Sequence, residues 1–192
     1  MDSGGSFSES ALLSTGKCYA ASYNAVTKEA LITAVGEMQT AYTDVAGRTA
    51  DEINRQAGEI TGETFVPGVY EWTTGIAFTK AGITIKGKQD DIFIFKVAGN
   101  ILAAEGAKIT LEADGTDSLN KPKWENIFFQ SAGAMSVGAG AHLEGNFLTQ
   151  TNVAMGTGAS LNGRILAQTA VTLIQNCIMS RDGGVLLESG EC

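Results

Sequence analysis

Three segments that begin with glutamine decide the fold: residues 130–135 read QSAGAM, residues 150–155 read QTNVAM, and residues 168–173 read QTAVTL. Aligned on their glutamines, they are separated by 20 and then 18 residues. The preceding sequence repeats as well, as NIFF (126–129), NFLT (146–149) and RILA (164–167), and AHLEG (141–145) matches ASLNG (159–163). A period of 18 to 20 residues that holds three short strands is typical of one coil of a parallel β-helix with a triangular cross-section.

Equivalent side chains of successive coils should form ladders, because stacked strands lie about 4.8 Å apart. The alignment predicts two inward ladders, namely Met135, Met155 and Leu173, and Ile127, Phe147 and Ile165. Two looser copies, TGIA (74–77) and VAGN (97–100), extend the coils over residues 64–179. A β-sandwich would instead have turns every eight to twelve residues or so without identity at fixed positions, so the repeat favours the solenoid.

Residues 24 to about 46 are predicted to form the one long helix. Apolar residues recur there at intervals of three and four, which places them on one face: Leu31, Val35, Met38, Tyr42 and Val45. Thr27 is the predicted N-cap with Glu29 in the first turn, and Gly47 with Arg48 supplies the stop signal. We therefore predict a mainly β protein, a right-handed parallel β-helix with the long α-helix packed alongside, in a single domain over residues 1–192.

The composition excludes several classes of function. The 192 residues carry a net charge of −8, which argues against nucleic acid as a partner, since binding phosphate backbones requires clustered Lys and Arg. The sequence contains no run of about eighteen apolar residues, so we predict no membrane span. We also expect a monomer. Cys18, Cys177 and Cys192 have no CxxC spacing and there is one histidine, so we expect neither a metal site nor a cofactor. The sequence leaves two states of the cysteines open. One is a disulfide, for which Cys177 and Cys192 are the pair nearer in sequence, and the other is free thiols.

One predicted sheet face has an unusual surface composition. Alternation along the strand that contains the Met135 ladder places the residues on either side of that ladder outward. These residues are uncharged and mostly small, with Lys80 and Glu105 near the margins: Ala77, Thr79, Asn100, Leu102, Ala104, Ala134, Ser136, Ala154, Gly156, Thr172 and Ile174. An exposed sheet is normally decorated with Lys, Glu and Arg, so we predict that this face is an interaction surface. The alternative is that the long helix covers it.

A polysaccharide-processing enzyme is a competing function, because such enzymes also use β-helices and need clustered carboxylates in a groove. The acidic candidates, Asp90 with Asp91 and Asp114 with Asp117, are typical of solvated turns. His142 repeats at the position of Ser160, which predicts an exposed ladder position, and the sequence shows no Ser-His-Asp set. We therefore expect no catalytic residues. An adhesion or structural module, whose flat face binds a polymer or a protein, is the third interpretation.

Five segments resemble the microbial ice-binding proteins of cold-adapted bacteria, fungi and diatoms: AYTDVAGRT (41–49), PGVYEW (67–72), DIFIF (91–95), HLEGN (142–146) and GASLNGRILAQTAVT (158–172). The resemblance covers nearly the whole chain, and the last segment is highly specific. It implies an irregular right-handed β-helix with the long helix beside it. It also implies secretion and adsorption to ice through one flat solenoid face, which would give thermal hysteresis and inhibit ice recrystallisation.

Family members of the fungal and diatom branch tend to carry Thr-Ala/Gly-x-Thr/Asn on that face. The resemblance adds three residues to the candidate site, Thr74, Thr151 and Thr169, and only the segment from Thr169 to Thr172 matches the motif fully. The other copies drift towards alanine, so we expect moderate activity. Family chains usually carry a further segment before the part that resembles residues 1–3, so we also expect a fragment or a naturally short form.

Overall fold

The computed structural model describes residues 25–179 of the protein. The chain divides into two compact units between Thr43 and Asp44. Cys18, Cys192 and residues 1–3 lie outside the described residues. Cys177 is disulfide-bonded, which decides between the two states that the sequence left open for this cysteine.

Helix α1 (Ala25–Gly47) confirms the predicted helix, and its C-terminal end lies one residue beyond the prediction. Because the helix begins at Ala25, Thr27 lies inside it and is not the N-cap, and the first turn holds no acidic residue, so Glu29 lies beyond it. Gly47 ends the helix as predicted. Packing of the helix alongside the solenoid stays a prediction.

The fifteen strands of the described chain form three parallel sheets. The seven-stranded sheet contains β1 (Glu52–Ile53), β3 (Gly68–Trp72), β6 (Phe93–Val97), β9 (Ile127–Ser131), β11 (His142–Thr149), β13 (Ser160–Ala167) and β15 (Cys177–Met179). The five-stranded sheet contains β4 (Ile76–Phe78), β7 (Ile101–Ala103), β10 (Met135–Val137), β12 (Val153–Met155) and β14 (Val171–Leu173). The three-stranded sheet contains β2 (Thr64–Phe65), β5 (Ile83–Gly87) and β8 (Ile109–Ala113). Two short 3-10 helices, Arg55–Gly58 and Trp124–Asn126, complete the described elements.

The chain visits the three sheets in turn, which is the path of a β-helix. Strand β3 is followed by β4 and β5, each in a different sheet, before β6 returns to pair with β3. In the later coils, the eight-residue strands β11 and β13 each extend over two sides of the coil. A bridge between Lys108 and His142 links the start of β11 to the residue before β8, while Phe147 pairs with Phe129 of β9. The predicted mainly β solenoid with one long helix is confirmed.

Stacked rings form the centre of the solenoid. The rings of Phe95 and Phe129 lie 4.4 Å apart, and those of Phe129 and Phe147 lie 4.7 Å apart, both nearly parallel. These residues are paired in register on β6, β9 and β11, so the separation of the rings follows the separation of the strands. All three side chains are fully buried. The core therefore contains a ladder of stacked, equivalent side chains, as the repeat predicts.

The predicted members of that ladder are shifted by two residues. Phe147 pairs with Ile165 of β13 on one side and with Phe129 of β9 on the other, so the prediction that Ile127 belongs to this ladder is wrong. Gln130 pairs with Leu148, two residues before Gln150. The glutamine alignment therefore gave an offset of 20 residues where the strands are offset by 18.

The same shift corrects the predicted ladder in the five-stranded sheet. Met155 pairs with Val137 and Leu173, whereas Met135 pairs with Val153. A slip of two residues keeps each side chain on its face, because successive strand residues point to opposite sides. Met135 is accordingly buried and Ser136 exposed, as the prediction required.

The first described coil is closed by a side chain that the sequence analysis did not single out. The Arg55 guanidinium carbon lies 4.9 Å from the ring centroid of Phe65, and its Nε donates to Glu63 at 2.8 Å. The indole Nε1 of Trp72 donates to the Arg55 carbonyl oxygen at 2.8 Å. An arginine stacked on an aromatic ring covers apolar surface while its charge stays paired.

Gly163 is required where β13 changes direction. Its φ is +146°, and a Cβ there would collide with the carbonyl oxygen of Gly145 in the adjacent strand. We predict that Gly163→Ala lowers the free energy of unfolding by roughly 3 kcal/mol or more, because it combines backbone strain with a clash against rigid backbone.

The matched control is Gly158→Ala. Gly158 has a φ of +70°, and a Cβ there would have no atom within 4 Å. It should cost only about 1–2 kcal/mol for the left-handed conformation. Urea denaturation of both variants measures the difference, and equal losses would contradict the close-approach argument.

Candidate functional site

The outward side chains of the five-stranded sheet form a column that runs across its five strands. In β4, β7, β10 and β12 the first and third residues are buried in the core and the middle residue points outward. In β14 all three residues are exposed, so Leu173, which was predicted to point inward, is not buried in the described chain. The middle residues pair in register from β4 to β14: Ala77, Leu102, Ser136, Ala154 and Thr172. We call them the central column. The structure thus brings together five of the predicted site residues at the spacing of neighbouring strands.

Two flanking columns lie beside the central column, formed by residues just outside each three-residue strand, two positions before and two positions after the central residue. The earlier column is defined by backbone carbonyls that accept from the next strand over: Asn100, Ala134, Asn152 and Ala170. The later column contains the matching residues two places after the central column: Thr79, Ala104, Gly138, Gly156 and Ile174. We call the central and flanking columns together the flat face. Apart from Thr74, Thr151 and Thr169, it contains every predicted site residue.

The flat face differs in charge from the other two sheets. Its fourteen positions hold no Asp, Glu, Lys or Arg. The outer side of the seven-stranded sheet carries the ion pair of Lys96 with Glu71, in which Nζ lies 2.7 Å from the carboxylate. On the three-stranded sheet, Lys86 is in register with Glu112. Uncharged composition therefore distinguishes the five-stranded sheet among the three.

The three threonines added by the family motif lie at the corner that leads into the five-stranded sheet. The amide of Thr169 donates to the carbonyl oxygen of Thr151 in the preceding coil, at 3.4 Å. The side chains of Thr74 and Thr169 are exposed. Thr151 differs, because its Oγ1 is buried and, among the described residues, has no hydrogen-bond partner. The Thr151 hydroxyl is therefore not presented to solvent with the other two.

Asn100 performs a structural task that the sequence analysis missed. Its Oδ1 accepts a hydrogen bond of 2.9 Å from the backbone N–H of Ala134 in the next coil. Gly133 must be glycine beside it, since a Cβ there would collide with the same Oδ1. Asn176 has a similar role at the other end, where its Nδ2 donates to the carbonyl oxygens of Gly156 at 2.7 Å and Ala159 at 3.0 Å. In the sequence, the signal for both roles was an asparagine directly beside a short strand.

The flat face is not uniform in height. Leu102 in the central column is 48% exposed, while its neighbours Ala77 and Ser136 have short side chains. Beside Leu102, towards β4, a shallow cavity of about 610 Å³ is lined by Ala57, Glu59, Gly75, Ala77 and Asn100 among others. The central column therefore has short side chains over β10, β12 and β14 and a long one at β7, while Ile174 of the later column is 50% exposed beside β14.

A second polar cluster lies at the start of β11 and β13. His142 is in register with Ser160, as the repeat predicted, and its Nδ1 lies 2.8 Å from the serine Oγ. Its Nε2 lies 3.2 Å from Glu144 Oε1, which also accepts 2.7 Å from Asn162. The structure thus assembles a Ser-His-Glu chain, whereas the sequence analysis expected no such set.

The backbone around this cluster limits what it can do chemically. Acyl transfer needs free N–H donors aimed at the developing oxyanion. The N–H of Ser160 is already donated to the carbonyl oxygen of Ala141 at 2.8 Å. We assign the cluster a structural role, in which side-chain hydrogen bonds join adjacent strands.

No group of three or more His, Cys, Asp or Glu residues within residues 25–179 is placed to hold a metal ion. No helix of the same range is long and apolar enough to cross a membrane.

Comparisons with known proteins agree on one family. The sequence model described as ice-binding-like matches residues 1–179. An ice-binding protein of Flavobacterium frigoris is 47% identical over 149 residues, which cover 77% of this chain and 51% of that protein. An ice-binding protein of Lentinula edodes is 40% identical over 146 residues, covering 76% of this chain and 48% of that protein. The chain therefore spans about half the length of these relatives.

A solved structure agrees with the fold. An ice-binding protein from an Arctic yeast, solved as the structural basis of its antifreeze activity, superimposes with a TM-score of 0.78 at 36% identity. The superposition covers 88% of this chain and 71% of the yeast chain. An ice-binding protein from Antarctomyces psychrotrophicus gives a TM-score of 0.71 at 26% identity, over 80% of this chain and 73% of that one.

The hydrogen bond of Asn100 generates a prediction about stability. Asn100→Ala should lower the free energy of unfolding by about 0.5–1.5 kcal/mol, because the Ala134 N–H loses its acceptor. Asn100→Asp keeps an acceptor oxygen at the same place and should stay close to wild type. Urea denaturation at neutral pH measures both. Equal destabilisation by the two substitutions would contradict the role of Oδ1.

Proposed function

The chain belongs to the ice-binding-like family, and on that premise we propose that it binds ice through the flat face. The observation that carries the proposal is the central column, in which five uncharged side chains are held in register by parallel strand pairing. The surface of ice is a repeating array of uncharged hydrogen-bonding groups. A repeating, uncharged protein surface is suited to it.

Strand geometry sets the dimensions of this surface. Neighbouring coils are about 4.8 Å apart, and positions two residues apart in extended chain are about 6.6 Å apart, since each residue advances about 3.3 Å. The flanking columns therefore turn the central column into a two-dimensional grid. The proposed site is this grid together with the exposed corner threonines Thr74 and Thr169.

Thr172 shows how a side chain of the grid can act on water. A threonine has restricted rotamers, so its methyl and hydroxyl groups keep fixed directions. The methyl excludes water, while the hydroxyl holds a water molecule by a hydrogen bond. Ala154 in the preceding coil supplies a methyl group alone. Interfacial water can thereby be ordered before it joins the crystal.

Because the flat face is rigid, many weak contacts are sufficient for adsorption to ice. Binding costs free energy when flexible groups must be ordered, and a surface that is already ordered avoids that cost. The strands of the flat face are hydrogen-bonded to neighbours on both sides from β7 to β12. Short side chains such as Ala154 and Ser136 also have little rotamer entropy to lose.

We also propose that the protein acts outside the cell, as a monomer, without catalysis. The disulfide of Cys177 supports an oxidising compartment, where such bonds persist. Ice is an extended surface that one flat face can contact, so the proposed activity needs no second subunit. Adsorption forms and breaks no covalent bond, so it requires no catalytic residue and no cofactor.

The alternative is an adhesion or structural module whose flat face binds a polymer or another protein. Nanolitre osmometry on the purified chain separates the two functions. Ice binding requires thermal hysteresis and shaped ice crystals, whereas an adhesion module produces neither. Absence of both at millimolar protein would refute the proposed function for this chain.

Ala154→Tyr tests the proposed face. A phenol ring in the middle of the central column should hold the neighbouring coils away from ice and abolish thermal hysteresis. The circular dichroism spectrum should be unchanged, because Ala154 points outward from β12. Thermal hysteresis is measured by nanolitre osmometry at equal protein concentration.

Thr110→Tyr is the matched control. Thr110 is an exposed outward residue of β8 in the three-stranded sheet. This variant should keep the wild-type hysteresis. Retained activity in Ala154→Tyr together with loss in Thr110→Tyr would move the ice site to the three-stranded sheet.

Cys177→Ser tests the contribution of the disulfide. Loss of a native disulfide typically lowers the free energy of unfolding by about 2–5 kcal/mol. We expect a lower melting temperature for this variant than for the wild type, measured by circular dichroism under oxidising conditions. Under reducing conditions the two should melt at similar temperatures. A melting temperature that is unchanged under oxidising conditions would contradict a stabilising role.

A further inference from the structure

Leu102 is the one large side chain in the central column. The column otherwise consists of Ala77, Ser136, Ala154 and Thr172. Leu102 is 48% exposed, although strand neighbours flank it on both sides. A leucine extends two carbon–carbon bonds beyond its Cβ, which is roughly 2.5 Å further than alanine. It therefore projects above a surface whose coils are only about 4.8 Å apart.

The surface falls away on the β4 side of Leu102. The cavity of about 610 Å³ begins there, and Leu102 itself forms part of its lining with Asn100, Ala77 and Glu59. A side chain that projects above its neighbours holds a planar solid away from the coils on its far side. Contact over β10 to β14 thus excludes simultaneous contact over β4.

The coils on the other side of Leu102 are regular. Met135, Val153 and Val171 pair in register, each 18 residues after the one before. Equal offsets mean that the same number of residues connects each coil to the next. Ser136, Ala154 and Thr172 consequently repeat with constant geometry and short side chains.

We propose that ice contact is confined to the three coils that contain β10, β12 and β14, and that Leu102 sets the boundary of the contact. The inference rests on the proposed function and specifies which part of the flat face performs it. Leu102 is thereby a residue that limits activity. Its removal should allow the contact to extend to β7 and β4.

Two substitutions at Leu102 test the boundary. Leu102→Ala and Leu102→Thr both remove the projection, and both should raise thermal hysteresis at equal protein concentration. Because apolar contact scales with area, extension from three coils towards five should raise it by a factor of about 1.5 to 2. A loss of activity in either variant would show that Leu102 is itself an ice contact, which overturns the proposal.

The matched control is Leu119→Ala. Leu119 is 86% exposed, lies outside the three sheets, and loses the same atoms on substitution. It should leave thermal hysteresis unchanged. A rise equal to that of Leu102→Ala would mean that the gain does not come from the flat face, and would also overturn the proposal.

A double variant locates the gain. In the Leu102→Ala background, Ala77→Tyr should return thermal hysteresis to the wild-type value, because it obstructs the newly available coils. Persistence of the gain would contradict extension towards β4. Different results would refute the proposed function itself, namely full activity in Ala154→Tyr or no hysteresis in the wild-type chain.

Discussion

Parallel hydrogen bonding from each coil to the next determines the position of the other groups in the described solenoid. It brings equivalent residues to the same position in successive coils, both in the core and on the outer surface. Inside, the rings of Phe95, Phe129 and Phe147 stack at distances close to the strand spacing. Outside, the same spacing arranges Ser136, Ala154 and Thr172 in a column. The core and the flat face are therefore two consequences of one backbone pattern, and a change of register would alter both.

The period of the repeat was sufficient to predict the solenoid and the outward orientation of the central column, while the three-and-four spacing of apolar residues predicted the helix. It did not determine register, because the alignment relied on glutamines, and Gln130 occupies a different position in its coil from Gln150. The error was harmless for orientation, since strand residues alternate with period two. Interactions at the corners were not predictable in the same way. The buried hydroxyl of Thr151 and the hydrogen bond from Ala134 to Asn100 depend on side-chain rotations that no spacing encodes.

The Ser-His-Glu chain illustrates why residue types alone do not define an active site. Stacking places His142 against Ser160, and alternation places Glu144 on the same side two residues later. Any solenoid with these residues at these positions would bring the three together. Their proximity reflects the architecture, and the backbone N–H of Ser160 is used in that architecture. Function is better inferred from the uncharged composition of a whole face and from the family to which the chain belongs.

The constant offset of 18 residues between β10, β12 and β14 has a consequence for how such a surface can change over time. Insertion or deletion of one complete repeat would lengthen or shorten the face by one row and leave the remaining rows unaltered. Area would then vary in discrete steps, through duplication of short stretches of gene, while composition varies independently through point substitution. A lineage could therefore adjust the size and the chemistry of the surface separately.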